Sequence, residues 1–332
     1  MTNPEQIRFE RGVFTLSIDF ELIWGTLAGR GVEKYRKQCE LERQFIIDRL
    51  LALLVEFNLP ASWLVVGHLF LDRCGVNHEL SQANFTVPCP SSSSSGSEDV
   101  NSIFCGRSLV EKIQDCVVPQ EIGCHTFSHP IFTEENISRE RAEAELAACV
   151  RLSNERGIRM QSFVYPQNKS GYVDLLRKYG FTCYRGAEWH ERGHIPDLLR
   201  RIVHFGLVCT AAKPPVYLPE FTSEGIWKLP GSMLYFPMHG RRRLIPLSLR
   251  VNRARKGLEA AVKQKRIFHL WLHPTNLVDE MEQMFTGLRS IFEHAANLRE
   301  RGLLDFKTMG ATVPTPILQQ KMQPAVAVAT VS

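Results

Sequence analysis

The chain has 332 residues, 44% of them hydrophobic and 23% charged, with a formal net charge of +5. That length buries a substantial core in one large domain or two smaller ones, and so mild a basicity gives no case for a nucleic-acid partner. Nine cysteines, odd in number and scattered without a CxxC pair, exclude a disulfide framework and indicate a reducing compartment. The amino terminus MTNPEQIRFERG lacks the apolar centre of a signal peptide, and the hydrophobic region from Leu50 to Leu71 is interrupted by Glu56, Asn58, Pro60 and His68. The expectation is a cytoplasmic protein with no transmembrane segment.

In chain order, VFTLSI (13–18) is a β-prone run that ends at Asp19, with Phe20, Glu21 and the loop Trp24-Gly25-Thr26 beyond it. From about Val32 to Phe57 the apolar positions Phe45, Ile46, Leu50, Leu53 and Leu54 recur at helical spacing, and Pro60 ends the helix. ASWLVV (61–66) predicts the next strand. From about 74 to 106 periodicity is lost in a serine-rich, proline-containing stretch, read as a disordered insertion.

Glu121 to Cys124 predicts a buried strand delivering HTFSHP (125–130). Next come a charged amphipathic helix over about 134–156, a strand at QSFVY (161–165), a short helix over 172–179 and a strand at FTCY (181–184). The interval 226–256 reads as less regular. Its arginines, Arg241 to Arg243, Arg250, Arg253 and Arg255, suit either a solvated basic face or a seat for an anionic substrate group. RIFHLWL (266–272) predicts a last strand ending at His273-Pro274, and a helix follows over about 278–301. Residues 311–332 carry no periodic signal and are expected to form a disordered tail. Strands alternating with helices at this rhythm predict a parallel α/β sheet or barrel, residues 1–310 forming one domain.

Three features share one address, the carboxyl end of a predicted strand: Asp19 with Glu21, His125 with His129, and His273. That edge is where α/β folds build their chemistry. Two imidazoles four apart close on one metal ion if a carboxylate joins them; alone, such a pair caps a loop.

SIDFELIWGT, CHTFSH, SFVYPQN, GFTCYRG and HLWLHP, in that order, resemble the motifs of the polysaccharide deacetylase family, which carries the NodB-homology domain. The resemblance runs from about Phe14 to His273. It implies a distorted, incomplete (β/α) barrel and a metal-dependent hydrolase that removes N-acetyl groups from an amino-sugar glycan or glycan precursor. It also implies that Glu21, His125 and His129 bind the metal, that Asp19 is the general base and that His273 is the general acid. Zinc is the implied metal; iron, cobalt and nickel suit the same ligands. On the substrate side stand Trp24 and Tyr165, as rings to stack on a sugar with core packing as the commoner role for either, and Arg185.

Two departures stand out. The first motif is Asp19-Phe20-Glu21 where many members have adjacent aspartates, and Gln167 stands where the third motif usually supplies an arginine that orients the base. Arg185 is the substitute, with a structural salt bridge as its other reading. With no signal peptide read, a lipid- or nucleotide-linked N-acetyl sugar fits better than an extracellular polymer. The alternatives are a non-catalytic carbohydrate-binding protein on the same fold and, from two histidines with a carboxylate, a non-haem iron oxygenase.

Overall fold

In the computed structural model, residues 7–26, 32–72, 103–186 and 212–314 are described. A single curled sheet of ten strands organises them. The strands are β1 (Gly12–Phe20), β2 (Ser62–Val65), β3 (Glu121–Cys124), β4 (Ser162–Val164), β5 (Cys183–Gly186), β6 (Glu220–Phe221), β7 (Trp227–Pro230), β8 (Met233–Leu234), β9 (Ile267–Leu272) and β10 (Leu304–Phe306). Their order is β6-β7-β5-β4-β3-β2-β1-β9-β8, with β10 on the amino end of β1. Every pairing is parallel except β6 with β7, and the described strands leave the ring open between β8 and β6. The result is the incomplete (β/α) barrel expected from the alternating pattern.

All nine residues of β1 are buried, so the strand has two inner faces. Successive side chains point to opposite faces of a strand, and the packing follows that rule. Phe14, Leu16, Ile18 and Phe20 join the large core shared with the helices, among them Leu50, Leu146, Leu258 and Leu288. Val13 faces inward instead, into a smaller cluster with Leu64, Val164, Cys183, Trp227, Leu229 and Ile267. This cluster lines the inside of the ring, from Val13 and Ile267 at the strand starts to Leu64, level with Asp19. Beside it, Ser17 and Asp19 of β1 share the inward side with His269 and His273 at the end of β9, across the register Val13↔Ile267 and Ser17↔Trp271.

The helices agree in type with the periodic pattern, with trimmed ends: Arg139–Asn154, Val173–Lys178 and Met281–Glu300. The predicted helix over 32–57 is two α-helices, Val32–Leu41 and Ile47–Glu56, joined by a π-helical turn at Glu42–Ile46. The interval expected to be irregular is the main correction. It holds β7, β8 and the start of an 18-residue helix, Leu247–Gln264. Its arginines hide a core stripe of Val251, Ala254, Leu258 and Ala261. Arg250 is itself buried, donating to the carbonyls of Phe236 and Arg242 with its guanidinium 4.2 Å above the Phe236 ring.

Within the serine-rich insertion, residues 74–102 lie outside the described residues, as do 315–332 of the tail. The last residues of the insertion, Ile103, Phe104 and Cys105, are packed in the core, and Val313 of the tail is buried. The cysteines among the described residues are free. No helix among them is long and apolar enough to cross a membrane.

Candidate active site

Each member of the site stands where a strand stops. β1 ends at Phe20, and Leu22 takes a left-handed backbone (φ 46°), so Glu21 turns back over the mouth of the ring. Gly25 makes room for it: a Cβ there would lie 1.7 Å from Glu21 Oε2. β3 ends at Cys124 and His125 continues its inward line, while Thr126 (φ 60°) and His129 (φ 58°) are left-handed. Non-glycine residues rarely adopt that region, and such strain survives only where surroundings over-determine it.

Those surroundings are specific. The carboxylate of Glu145, fully buried in the Arg139–Asn154 helix, accepts both the Phe127 and Ser128 amides at 2.8 Å. On the other side, the amides of Gly67 and His68 donate to the carbonyls of Thr126 and Phe127. The Thr126 hydroxyl accepts the His129 amide at 3.0 Å. The loop therefore presents its two imidazoles from a clamped backbone.

The ligand-type atoms of Glu21, His125 and His129 all lie within 4.8 Å of one another, and those of Asp19, Glu21 and His273 form a second such group sharing Glu21. His125 Nδ1 lies 2.7 Å from the Val164 carbonyl and acts as its donor, which leaves the Nε2 lone pair facing Glu21 Oε1 at 2.8 Å. A backbone carbonyl on the far nitrogen is the usual way a protein orients a metal-binding histidine. His129 Nε2 lies 3.2 Å from the same oxygen, yet it is buried with no hydrogen-bond partner among the described residues. An orphaned imidazole nitrogen, a second lone pair aimed at the same point and an ionised carboxylate make a donor set that fits a divalent cation.

Asp19 belongs to the other half. Arg185, on β5, holds it with both ends of its guanidinium, Nη1 to Oδ1 at 2.7 Å and Nη2 to Oδ2 at 2.6 Å, and both residues are buried. Burial opposes ionisation of Asp19, but the Arg185 charge and hydrogen bonds prevail and hold the carboxyl below its ordinary range. Glu21 lies well below its ordinary range too, burial again being outweighed, here by His273, His129 and His125. His273 Nε2 stands 3.5 Å from Glu21 and 3.7 Å from Asp19. Burial disfavours its charge, yet Glu21 and then Asp19 raise its pKa to about 9. Side-chain exposure rises from 1% at His125 through 6% at His129 and 12% at Glu21 to 26% at His273, so the site is approached over His273.

The remaining sequence candidates fall elsewhere. The Trp24 ring is buried against His68, centroids 4.5 Å apart, with its indole donating to the Phe104 carbonyl. Tyr165 is buried among Phe163, Phe132 and Tyr184. The structure thus places both rings in the core rather than against solvent where a sugar would lie. Arg185 is likewise enclosed and faces Asp19. Gln167 is exposed, in a left-handed turn with Asn168, and it is Asn168 Oδ1 that accepts from Arg185 Nη2 at 3.3 Å.

Several residues around the site escaped the sequence reading. Ser17 and His269 lie two and four positions before Asp19 and His273, on the same strand faces, which is a legible signal. Glu145 and Glu42 interrupt apolar stripes at helical spacing, Glu145 between Ala142 and Cys149 and Glu42 between Cys39 and Ile46, and both are fully buried.

The incomplete parallel barrel is shared with several solved structures. A candidate polysaccharide deacetylase from Mycobacterium smegmatis matches 93% of this chain and 92% of its own, with a TM-score of 0.60 at 14% identity. A probable polysaccharide deacetylase from Pseudomonas aeruginosa PAO1 matches 89% and 87%, with a TM-score of 0.54 at 11% identity. PuuE allantoinase matches 94% and 93%, with a TM-score of 0.57 at 10% identity. At these identities the likeness is one of fold. No family profile and no curated protein sequence matches the chain.

Proposed function

We propose that this protein is a metal-dependent hydrolase that removes an N-acetyl group from an amino sugar. The observation that carries the reading is Glu21, shared by two groups of unlike chemistry, imidazole lone pairs on one side and the Asp19–His273 pair on the other. Glu21, His125 and His129 would hold the ion, most simply zinc. A divalent cation there supplies Lewis-acid polarisation of the acetamide carbonyl and of the attacking water.

The other steps belong to the chain. Asp19, kept ionised by Arg185, takes the proton from the attacking water at a carboxylate oxygen. His273 carries a proton at Nε2 and gives it to the sugar nitrogen as the C–N bond breaks, so the amine leaves neutral and acetate remains. Proton transfers of this kind are each worth roughly 10²–10⁴-fold. The open side of the site, over His273, is where the sugar would lie. A lipid- or nucleotide-linked N-acetyl sugar is the substrate class proposed.

The test is acetate release from a panel of free, nucleotide-linked and lipid-linked N-acetyl sugars, with added metals and with chelator. Allantoin belongs in the panel because the PuuE likeness is as good in fold as the deacetylase ones. Chelator-sensitive release of acetate is the expected result. Turnover of allantoin alone, or metal-independent release, overturns the proposal.

A further inference from the structure

Behind Arg185 the structure continues a chain of polar groups into the ring. Arg185 Nη1 donates to Ser17 Oγ at 3.0 Å, and Ser17 Oγ lies 2.8 Å from His269 Nε2. Ser17 is fully buried and His269 is 1% exposed, so neither reaches substrate. The direction of each bond follows from the chemistry of its ends. A guanidinium only donates, so Ser17 accepts from Arg185, and the His269 tautomer decides whether its own proton turns to the imidazole.

A neutral His269 that gives its one proton to the Pro230 carbonyl carries it on Nδ1 and offers a lone pair at Nε2 to Ser17. That direction is required, since Pro230 has a carbonyl but no N–H to offer. Burial, followed by the Arg185 charge, keeps this imidazole neutral, with its pKa pushed down to about 3. Donation therefore runs one way, from Arg185 through Ser17 and His269 to the Pro230 carbonyl. Arg185 Nε has no partner among the described residues, so the plane of the guanidinium is set by its two Nη groups and by the Trp271 ring, 4.2 Å away.

We propose that Ser17 and His269 are positioning residues that fix the plane of Arg185, and through it the two-pronged grip on Asp19. Asn168 accepts from Nη2 at 3.3 Å, and Ser17 adds the shorter, fully buried anchor on Nη1 that makes Asp19 a fixed carboxylate. The proposal concerns the base half of the site and rests on the hydrolase reading only for its kinetic arm.

The closing experiment has two arms. Without substrate, nitrogen-15 NMR of the metal-free protein reads the His269 tautomer and the Arg185 Nη resonances. The expected result is a proton on Nδ1 and resolved Nη signals that collapse in S17A. A proton on Nε2, or Nη signals unchanged in S17A, overturns the proposal even if no substrate is ever found. With the substrate that the panel identifies, S17A and H269L should each lose about tenfold in kcat, the effect of one hydrogen bond to a charged group. KM and metal content should not move. H269Q keeps an acceptor near the Nε2 position and should recover most of the loss, which a packing role for the ring would not predict. Wild-type kcat in both S17A and H269L overturns it; should S17A fail to fold, the contrast between H269L and H269Q decides.

Discussion

Glu145 receives Ser128 twice, through its amide at 2.8 Å and its hydroxyl at 2.5 Å, and so ties the middle of the HTFSH loop to a buried helix. The loop's two imidazoles depend on that tie, because Thr126 and His129 hold left-handed backbones that an untethered chain would abandon.

Glu145→Ala should leave two amides buried without an acceptor, at a cost of roughly 1–3 kcal/mol each. The melting temperature falls, and metal affinity falls with it by about 10–100-fold, the usual effect of losing a group that orients a ligand. Glu145→Gln keeps one carbonyl oxygen for the loop and should lose less. Thermal melts and a competitive metal titration read both effects, and unaltered metal affinity in the alanine variant would contradict this account of the loop.

Glu21→Gln, His125→Ala and His129→Ala should each lower bound metal well below one ion per chain, measured by elemental analysis after dialysis. The fold should persist, because Glu21, His125 and His129 all lie beyond the ends of β1 and β3 and belong to none of the apolar clusters. Full metal occupancy in His129→Ala would remove that residue from the ligand set.

His273→Ala should cut turnover roughly 10²-fold or more with metal content unchanged. The pH dependence has a definite sign. As the proposed base Asp19 has to be ionised, and it is held below its ordinary range, so the acidic limb should lie low. As the proposed acid His273 has to be protonated, and its pKa is raised to about 9, so activity should fall as pH rises through that value. A cation beside Glu21 draws off part of the charge that raises His273, which moves the alkaline limb downwards. An alkaline limb that persists in His273→Ala would assign it to another group.

Glu42 gives a stability prediction. It is fully buried in the π-helical turn, and neither carboxylate oxygen has a partner among the described residues. Burial, reinforced by Glu21, raises its pKa well above the ordinary 4.5. The folded protein keeps this proton at pH values where the unfolded chain releases it, so stability from this group is full below about pH 4.5 and declines as pH rises. Glu42→Gln should therefore stabilise the metal-free protein, by roughly 1–3 kcal/mol near neutral pH, and the gain should shrink towards pH 4.5. Urea melts at several pH values measure it; a gain independent of pH would show that Glu42 is ionised in the fold.

The barrel was legible because β1, β3 and β9 are short apolar runs bounded by clear breaks, and period-two alternation then places Ser17, Asp19, His269 and His273 on one side. The helix from Leu247 was not legible, because Arg250 and Arg253 are buried through backbone carbonyls that no local pattern announces. Convergence of Glu21 with a histidine pair 104 residues away is a property of strand order, which spacing alone does not contain. Arg185 shows the same limit: strand β5 runs two residues past FTCY and so includes this residue, and the strand order carries its guanidinium across the ring to Asp19.

The apolar cluster of Val13, Leu64, Val164, Trp227 and Ile267 packs the inside of the ring. Leu64 and Val164 stand level with Asp19 and Arg185 in the strand register, so apolar side chains flank the polar site from within. Under the proposed function a sugar would therefore be set down over His273 and lifted off the same way, not threaded lengthwise through the ring.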